Sequence, residues 1–204
     1  PIISNVAQQL HCPLICVEHS LPWPTWNEMT TKRYAQNRGE INVFVSEFSA
    51  NQWFYDAEDD DVEILPPSVD TDFFDGWVGG DGQVMTAVWD YIRRDILCGF
   101  SLYKQVTNGL PTNPWGDTPG FSKNADSIDA LREQYRSASV FLNTSTWSSC
   151  PVSLLEAMSV GCPVVTTATT MLPSIVQDGV NGFITNDPQE MRERVYGEDA
   201  DMFE

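Results

Sequence analysis

The sequence predicts an α/β fold in which helices cover parallel β-sheets. Strand-like and helix-like segments alternate along most of the 204 residues, and this alternation is typical of parallel sheets. Val164 and Val165 begin a β-branched run that is typical of a strand buried on both faces. A glycine-rich stretch that begins at Gly76 interrupts the pattern, so we expect two domains, formed by residues 1–75 and 76–204.

The first domain is expected to contain two strands and three helices. Ser46 ends a strand, and its hydroxyl group can cap the helix that follows. The six acidic residues between positions 56 and 63 predict a solvated surface loop. A metal site is the alternative, although the turn glycines of a calcium loop are absent. The elements are predicted at residues 2–10 (helix), 13–17 (strand), 30–37 (helix), 43–46 (strand) and 47–54 (helix).

The second domain alternates strands and helices throughout. In open parallel sheets, ligands bind beyond the carboxyl ends of the strands. Arg94 and Ser148 each follow a strand, as does His19 in the first domain, so we expect all three at such an edge. Strands are predicted at residues 84–89, 110–116, 140–142, from 164 and at 183–185, and helices at 96–107, 128–137, from 152, at 172–177 and from 187.

A short helix near the C-terminal end carries the clearest functional signal. Ser148 and Ser149 can cap its first turn, and Pro151 suits its first position because no amide hydrogen is needed there. Gly161 can adopt the left-handed conformation that ends a helix. Glu156 lies between apolar neighbours, where a carboxylate is costly unless it is paired or belongs to a site. We interpret Glu156 as a candidate ligand-binding residue; an ordinary solvated glutamate is the alternative.

Composition and charge limit the classes of partner. The net charge of −18, from 11 basic and 29 acidic residues, argues against a nucleic-acid-binding surface. The five cysteines form no CxxC pair and indicate a reducing compartment, so we expect a cytoplasmic protein. No apolar run reaches the ~18 residues that a membrane span needs. The chain begins with Pro1 inside an apparent helix and stops in an acidic segment, so we expect a fragment of a longer polypeptide.

Two stretches of the sequence resemble the motifs of one enzyme family. Residues 44–48 and 64–73 resemble a strand with a serine and a later strand that ends in proline, a small residue, valine and aspartate. Residues 154–158, 161–166 and 178–183 resemble the family's more specific C-terminal motif. Together they resemble the retaining glycosyltransferases of family four, the glycosyl transferases group 1. The fold of that family is GT-B, in which two Rossmann-like domains face each other.

The resemblance implies a domain organisation and a reaction. Residues 1–75 correspond to the C-terminal part of the N-terminal, acceptor-binding domain, and most of that domain is missing. Residues 76–204 correspond to the nucleotide-sugar domain, with its last helices incomplete. The implied reaction moves a hexose from a nucleotide diphosphate sugar to a saccharide or lipid-linked acceptor, with retention and without a metal or other cofactor. We expect this fragment to be inactive in transfer, and peripheral membrane contact would involve the missing N-terminal part.

The resemblance also implies roles for individual residues. Glu156 maps onto the glutamate that binds the ribose hydroxyl groups of the donor, and His19 maps onto the histidine near the reacting sugar. The position of the family's other glutamate is occupied by Ser148. Arg94, with Arg93 as the second choice, supplies the positive charge for the diphosphate. The alternative for both arginines is that they are ordinary solvated loop residues. The alternative for His19 is that it is an ordinary buried or turn histidine.

The loop before the helix is expected to face the donor with its backbone amides. Ser149, Cys150 and Val152 can supply amide groups, whereas Pro151 has none to offer. Cys150 lies at a helix start, which can lower the pKa of its thiol. Four tryptophans can stack on sugars or, as we favour, pack in a core or between domains: Trp23, Trp26, Trp53 and Trp147.

Two other functions remain open at this point. The first is a non-catalytic relative that binds sugar nucleotides or protein partners. Ser148 favours this alternative, and so does Asp90, which stands with Trp89 where the family has an arginine. The second is a sugar-nucleotide epimerase of the same fold, which needs catalytic carboxylates that the motifs do not supply.

Overall fold

The chain forms two compact units, each built around its own parallel sheet. The structure is a computed structural model that describes residues 6–7, 9–35, 39–80 and 82–196. The first unit contains Pro1–Pro67 together with Ser148–Cys150, and the second contains Ser68–Trp147 together with Pro151–Glu204. The α/β fold with parallel sheets that the sequence predicts is confirmed.

The second unit begins at Ser68, whereas the sequence predicts a boundary after residue 75. Phe74 lies in one core cluster with Tyr135, and its carbonyl oxygen accepts a hydrogen bond from the Ser159 hydroxyl at 2.8 Å. The residue after it, Asp75, forms an ion pair with Arg132 at 2.6 Å. These contacts explain why the crossing segment groups with the second unit. The acceptor and donor roles of the two domains stay predictions.

The first unit contains three parallel strands in the order β1-β2-β3. Ser46 accepts a hydrogen bond from the Ser49 amide at 3.0 Å, which confirms the predicted cap. Of the predicted helix at 2–10, Val6, Ala7, Gln9 and Leu10 are helical, and the remaining residues lie outside those described. Positions 36 and 37 of the next predicted helix also lie outside them. The elements are β1 (Ile15–Glu18), α1 (Glu28–Ala35), β2 (Ile41–Phe44), α2 (Glu47–Gln52) and β3 (Val62–Ile64).

The second unit contains five parallel strands in the order β5-β4-β6-β7-β8. The predicted helix at 128–137 is observed with the same bounds, and the predicted strands shift by three residues or fewer at their ends. The elements are β4 (Val84–Ala87), α3 (Asp95–Cys98), α4 (Phe100–Val106), β5 (Thr112–Trp115), α5 (Ile128–Ser137), β6 (Val140–Asn143), α6 (Val152–Val160), β7 (Val164–Thr166), α7 (Leu172–Ile175), β8 (Phe183–Ile184) and α8 (Pro188–Tyr196).

Two hydrophobic clusters cover the two faces of the second sheet. Phe141 belongs to the cluster that contains Tyr135 of α5 and Leu154 of α6. Its neighbour Leu142 belongs to the other cluster, with Met191 of α8. Because successive side chains of a strand point to opposite faces, this division shows that helices pack on both sides of the sheet. The near-continuous apolar sequence of β6 and β7 is the consequence.

The predicted single helix at 96–107 is wrong, because the chain turns at Gly99. This glycine has a φ angle of +73° and separates α3 from α4. A Cβ atom at this position would lie 2.1 Å from the carbonyl oxygen of Thr144, so the close approach of the two segments also requires glycine. The periodicity of the sequence continues through this break and therefore conceals it.

Candidate functional site

The strand order of the second sheet identifies the edge where a ligand can bind. The chain adds β5 on one side of β4 and then returns to add β6 on the other side. In open parallel sheets, ligands bind beyond the carboxyl ends of the strands at such a switch point. Arg93 and Arg94 follow β4, and α6 with Val152 and Glu156 follows β6. The topology therefore brings four of the predicted donor-binding residues to segments that leave one edge of this sheet.

A network of buried hydroxyl and amide groups fixes the chain that leaves β6. The Thr144 hydroxyl bonds to the Tyr91 hydroxyl and also reaches the carbonyl oxygens of Cys98 and Gly99, each at 3.0 Å. Tyr91 follows β4 in the chain, so this network joins the segments on the two sides of the switch point. Burial raises the pKa of Tyr91 far above its ordinary value, so its hydroxyl stays protonated.

A second part of the network lies between β6 and β7. The side-chain Nδ2 of Asn143 donates to the Thr166 hydroxyl at 2.8 Å, and the Ser145 hydroxyl donates to the side-chain Oδ1 of Asn143 at 2.8 Å. The hydroxyl groups of Thr167 and Thr169 both donate to the Ser145 carbonyl oxygen, at 2.5 and 2.7 Å. Every donor in this part of the network is a short polar side chain, and the acceptors include the backbone carbonyl oxygen of Ser145. These hydrogen bonds hold the segments that leave β6 and β7 against each other.

The start of α6 differs from the predicted arrangement. Pro151, with φ −79° and ψ 99°, is the residue before the first helical turn, and no side chain caps that turn. The expectation that Ser148 or Ser149 caps the helix is therefore wrong, because the Ser149 hydroxyl donates to the carbonyl oxygen of His19 instead. An uncapped helix start presents amide hydrogens and the positive end of the helix dipole, which together favour an anion. Gly161 ends the helix with a φ angle of +92°, as predicted.

Glu156 lies one and a half turns into α6, where it pairs with a buried tyrosine. The hydroxyl of Tyr135, which α5 contributes, donates to Oε2 of Glu156 at 2.8 Å. Tyr135 is fully buried and Glu156 is half-buried. The alternative of an ordinary solvated glutamate is therefore wrong, because the carboxylate is partly removed from water and has a specific partner.

The pKa values of this pair are shifted by the same environment. Burial raises the pKa of Glu156 above its ordinary value of 4.5, and the hydrogen bond from Tyr135 opposes that shift. The pKa of Tyr135 is raised well above 10.0, first by burial and then by the nearby charge of Glu156. Tyr135 therefore remains a permanent donor, and the carboxylate remains available as an acceptor for other hydroxyl groups.

The two arginines after β4 differ in how firmly they are held. Arg94 donates from Nη1 to the carbonyl oxygen of Trp89 at 3.3 Å, and its Cζ lies 5.8 Å from the centre of the Trp89 ring. The side chain of Arg93 is 83% exposed and lies 3.7 Å from Asp90. In the part of the chain that the structure describes, neither arginine forms an ion pair with Glu156.

The remaining predicted residues lie in the first unit. His19 is exposed and follows β1, and its carbonyl oxygen accepts the hydrogen bond from Ser149. Ser148–Cys150 belong to the same unit, and the Ser46 hydroxyl donates to the carbonyl oxygen of Ser149 at 3.5 Å. Burial raises the pKa of Cys150 to about 11, so the expected lowering of that pKa by the helix start is wrong.

The predicted tryptophans differ in burial, and an aspartate of the crossing segment makes local hydrogen bonds. Trp53 is buried in the core of the first unit, and its Nε1 donates to the carbonyl oxygen of Ser20 at 2.9 Å. Trp23 and Trp26 are exposed. Asp70 accepts hydrogen bonds from the amides of Asp72 and Phe73, each at 3.1 Å, so its carboxylate stabilises the local turn. Among the described residues, no three His, Cys, Asp or Glu side chains lie together as metal ligands.

Sequence reasoning missed two tyrosines that organise this region. Tyr91 and Tyr135 both read as ordinary apolar positions of a core, and nothing in the sequence pairs Tyr135 with a glutamate on another helix. For Tyr91 a partial signal exists, because the polar run that starts at Asn143 follows a buried strand. Polar residues in that position need partners, which a nearby tyrosine can provide.

A family model matches the C-terminal part of the chain. The model for glycosyl transferases group 1 matches residues 119–197, a segment that contains α5, α6 and the Tyr135–Glu156 pair. No curated protein sequence matches the chain.

Comparison with solved structures shows the same fold in several glycosyltransferases. HepE from Anabaena, in complex with UDP and glucose, has a TM-score of 0.77 at 14% identity over 98% of this chain and 66% of its own. Sucrose-phosphate synthase from Thermosynechococcus elongatus has a TM-score of 0.67 at 13% identity. The match covers 98% of this chain and 66% of the synthase. The pneumococcal O-GlcNAc transferase GtfA, in complex with UDP and GlcNAc, has a TM-score of 0.64 at 14% identity. The match covers 99% of this chain and 47% of GtfA.

These similarities show a GT-B type of α/β fold, as the sequence predicts. The chain spans less than two thirds of the length of each of these proteins. In the part of the chain that the structure describes, no helix is both long and apolar enough to cross a membrane.

Proposed function

We propose that this chain binds a nucleotide diphosphate sugar as part of a glycosyltransferase that transfers a hexose with retention. The observation that carries the proposal is the half-buried Glu156, which a tyrosine holds on the helix after β6 at the switch point of the sheet. Support also comes from the match of residues 119–197 to glycosyl transferases group 1. The reaction as a whole is part of the proposal, since the chain spans 66% of HepE.

In this proposal the nucleotide binds across the switch point. Glu156 accepts hydrogen bonds from ribose hydroxyl groups, which a carboxylate binds more strongly than a neutral acceptor does. The uncapped start of α6 and Arg94 bind the diphosphate. Negative charge grows on the leaving diphosphate during transfer, so positive groups fixed at that position stabilise the transition state. These charges can serve without a metal ion.

The first unit is proposed to contribute contacts to the donor. His19 is proposed to lie near the reacting sugar, and the amides of Ser149 and Cys150 to contact the donor, by analogy with the family motif. The acceptor is proposed to be a saccharide or a lipid-linked saccharide. The cysteine content favours a cytoplasmic location, as argued from the sequence.

A non-catalytic relative that binds sugar nucleotides is the second candidate. Ser148 stands where the family has its other glutamate, and Asp90 stands where it has an arginine. An acidic residue near a diphosphate opposes binding by repulsion, which favours this candidate. Turnover separates the two functions, because both bind nucleotide and only one releases UDP from a sugar donor.

The first experiment measures UDP binding to the 204-residue chain by titration calorimetry. A hydrogen bond to a charged group contributes about 1.5–3 kcal/mol, so Glu156→Ala should weaken UDP binding about ten- to hundredfold. Glu193→Ala is the matched control, because Glu193 is an exposed glutamate on α8. Unchanged UDP affinity in a folded Glu156→Ala variant rejects the assignment.

The second experiment uses the full-length protein, because the 204-residue chain is itself expected to be inactive in transfer. It measures release of UDP from UDP-glucose and related donors, with a panel of saccharide acceptors. Acceptor-dependent release that Glu156→Ala reduces supports a transferase. UDP binding without release from any donor supports the non-catalytic alternative.

A further inference from the structure

Among the hydrogen bonds of the described residues, only the one from Tyr135 reaches the Glu156 carboxylate. Its hydroxyl donates to Oε2 at 2.8 Å, and no described hydrogen bond reaches Oε1. A tyrosine hydroxyl that donates to one oxygen fixes the rotation of the carboxylate plane. The other oxygen is then directed to a constant position, where it can accept a hydrogen bond from a ligand.

The surroundings of Tyr135 hold its hydroxyl in place. Its ring lies 5.6 Å from the ring of Phe141 and 6.1 Å from that of Phe74, measured between ring centres. The side chain is fully buried in the cluster that also contains Leu154 of α6. A ring packed between two aromatic neighbours has little freedom to rotate, so the direction of its hydroxyl bond is set by the core.

The cost of this arrangement indicates that it serves more than packing. A phenylalanine would fill the same volume without a buried hydroxyl group, and a leucine at position 156 would continue the apolar face of α6. The carboxylate that is present at position 156 is partly removed from water, and this lowers the stability of the folded protein. Its raised pKa has the same cause. Such a buried polar pair is expected where a site needs a carboxylate in a defined orientation.

We propose that Tyr135 is a positioning residue that orients Glu156 so that its Oε1 atom binds the ribose of the donor nucleotide. This inference rests on the proposed function, because it assumes that Glu156 meets the ribose. Tyr135 itself contacts no ligand and acts through the carboxylate.

The test compares the affinities of UDP and 2′,3′-dideoxy-UDP for the full chain. The dideoxy compound lacks both ribose hydroxyl groups but keeps the base and the diphosphate. The wild-type protein should prefer UDP by about tenfold or more, in line with the loss of a charged hydrogen bond. Tyr135→Phe should reduce that preference at least about threefold, through weaker UDP binding, with little change for the dideoxy compound.

The controls separate positioning from packing. Tyr103→Phe removes the hydroxyl of a buried tyrosine in the other core cluster and should keep the wild-type preference. Tyr135→Phe combined with Glu156→Gln should show no further loss of preference beyond Glu156→Gln alone, because both changes act on one interaction. A Tyr135→Phe variant that keeps the wild-type preference, or that weakens both compounds equally, overturns the inference.

Failure of the proposed function gives a different result. If the wild-type protein binds both compounds equally, Glu156 does not meet the ribose, and both proposals are overturned. If Glu156→Gln abolishes the preference while Tyr135→Phe retains it, only the role of Tyr135 is overturned.

Discussion

The two sheets of this protein differ in how deeply their strands are buried. In the first unit, β1 leaves Ile15 and Val17 60% and 57% exposed. In the second unit, every residue of β6 and β7 is buried, and helices cover both faces of the sheet. The core cluster of the first unit is also smaller than either cluster of the second.

This difference shows which candidate residues stand on a rigid support. Glu156 and Arg94 belong to the second unit, where a network of buried hydroxyl groups fixes the carboxyl edge of the sheet. His19 follows β1, the more exposed strand, and its side chain is exposed. Precise ligand geometry requires residues that packing and hydrogen bonds hold in place. We therefore expect nucleotide binding to depend on the second unit.

The largest expected effect is on the free energy of unfolding, and it compares one valine in each sheet. Val164 of β7 is 1% exposed, whereas Val17 of β1 is 57% exposed. Val164→Ala removes buried methyl groups and leaves a cavity, so it should lower the free energy of unfolding by about 1.5–3 kcal/mol. Val17→Ala should change it by less than about 0.5 kcal/mol. Urea unfolding followed by circular dichroism measures both values.

Amide hydrogen exchange sharpens the same comparison in the wild-type protein. The amides of β6 and β7 should exchange more slowly than those of β1, because more buried contacts must open to expose them. Equal losses of stability in the two valine variants, or faster exchange in β7 than in β1, would contradict the contrast between the units.

The next effect concerns the arginines of the second unit. Arg94→Gln should weaken UDP binding about three- to tenfold, because the Trp89 carbonyl and ring hold this guanidinium in place. Arg93→Gln should change the UDP affinity less than about twofold, since its side chain is 83% exposed and strongly hydrated. Calorimetry at two salt concentrations measures the affinities, and Arg94→Gln should also reduce their dependence on salt.

His19→Ala provides the matching test in the first unit. We expect UDP affinity within about twofold of the wild-type value, because the side chain is exposed and follows the less buried sheet. A larger loss than that of Arg94→Gln would place part of the nucleotide site in the first unit and would break the comparison.

Much of the fold could be predicted because local signals and long-range packing agree. The cap at Ser46 follows from its hydroxyl group, and the helix stop at Gly161 follows from the positive φ angle that glycine can adopt. Both depend on neighbouring residues only. The break at Gly99 could not be predicted in this way. It depends on the approach of Thr144, which is distant in the sequence, and a helical pattern continues across it.

The candidate site was predictable at its carboxylate and less so around it. Glu156 is recognisable because a charge between apolar neighbours is unusual in a helix. Its partner Tyr135 was not, since a core tyrosine and a core phenylalanine give the same pattern. Ser149 was predicted to cap α6 and instead bonds to His19, because a hydroxyl can meet several carbonyl groups and only the folded chain selects one.

The smallest expected effect is on the pH dependence of stability. It tests whether the charged form of Glu156 destabilises the second unit. Burial raises the pKa of this carboxyl above its ordinary value of 4.5, so the folded protein holds the proton more tightly than the unfolded chain. Below pH 4.5 the group is protonated in both states, and its contribution to stability is fully retained. As the pH rises through the raised pKa, that contribution is lost, because the folded protein must then hold a partly desolvated charge. Glu156→Gln keeps an acceptor for Tyr135 but cannot ionise.

Glu156→Gln should therefore be more stable than the wild-type protein at pH 7, and the difference should shrink as the pH falls toward the ordinary pKa of the carboxyl. Urea unfolding of both proteins between pH 4 and pH 7 measures this difference. Glu193→Gln, which replaces an exposed glutamate of α8, is the control for the substitution itself. A variant that is less stable than the wild-type protein at every pH would mean that the Tyr135 bond outweighs the cost of burial. The carboxylate would then be part of the packing that makes the second sheet the more deeply buried of the two, and its retention would need no ligand to explain it.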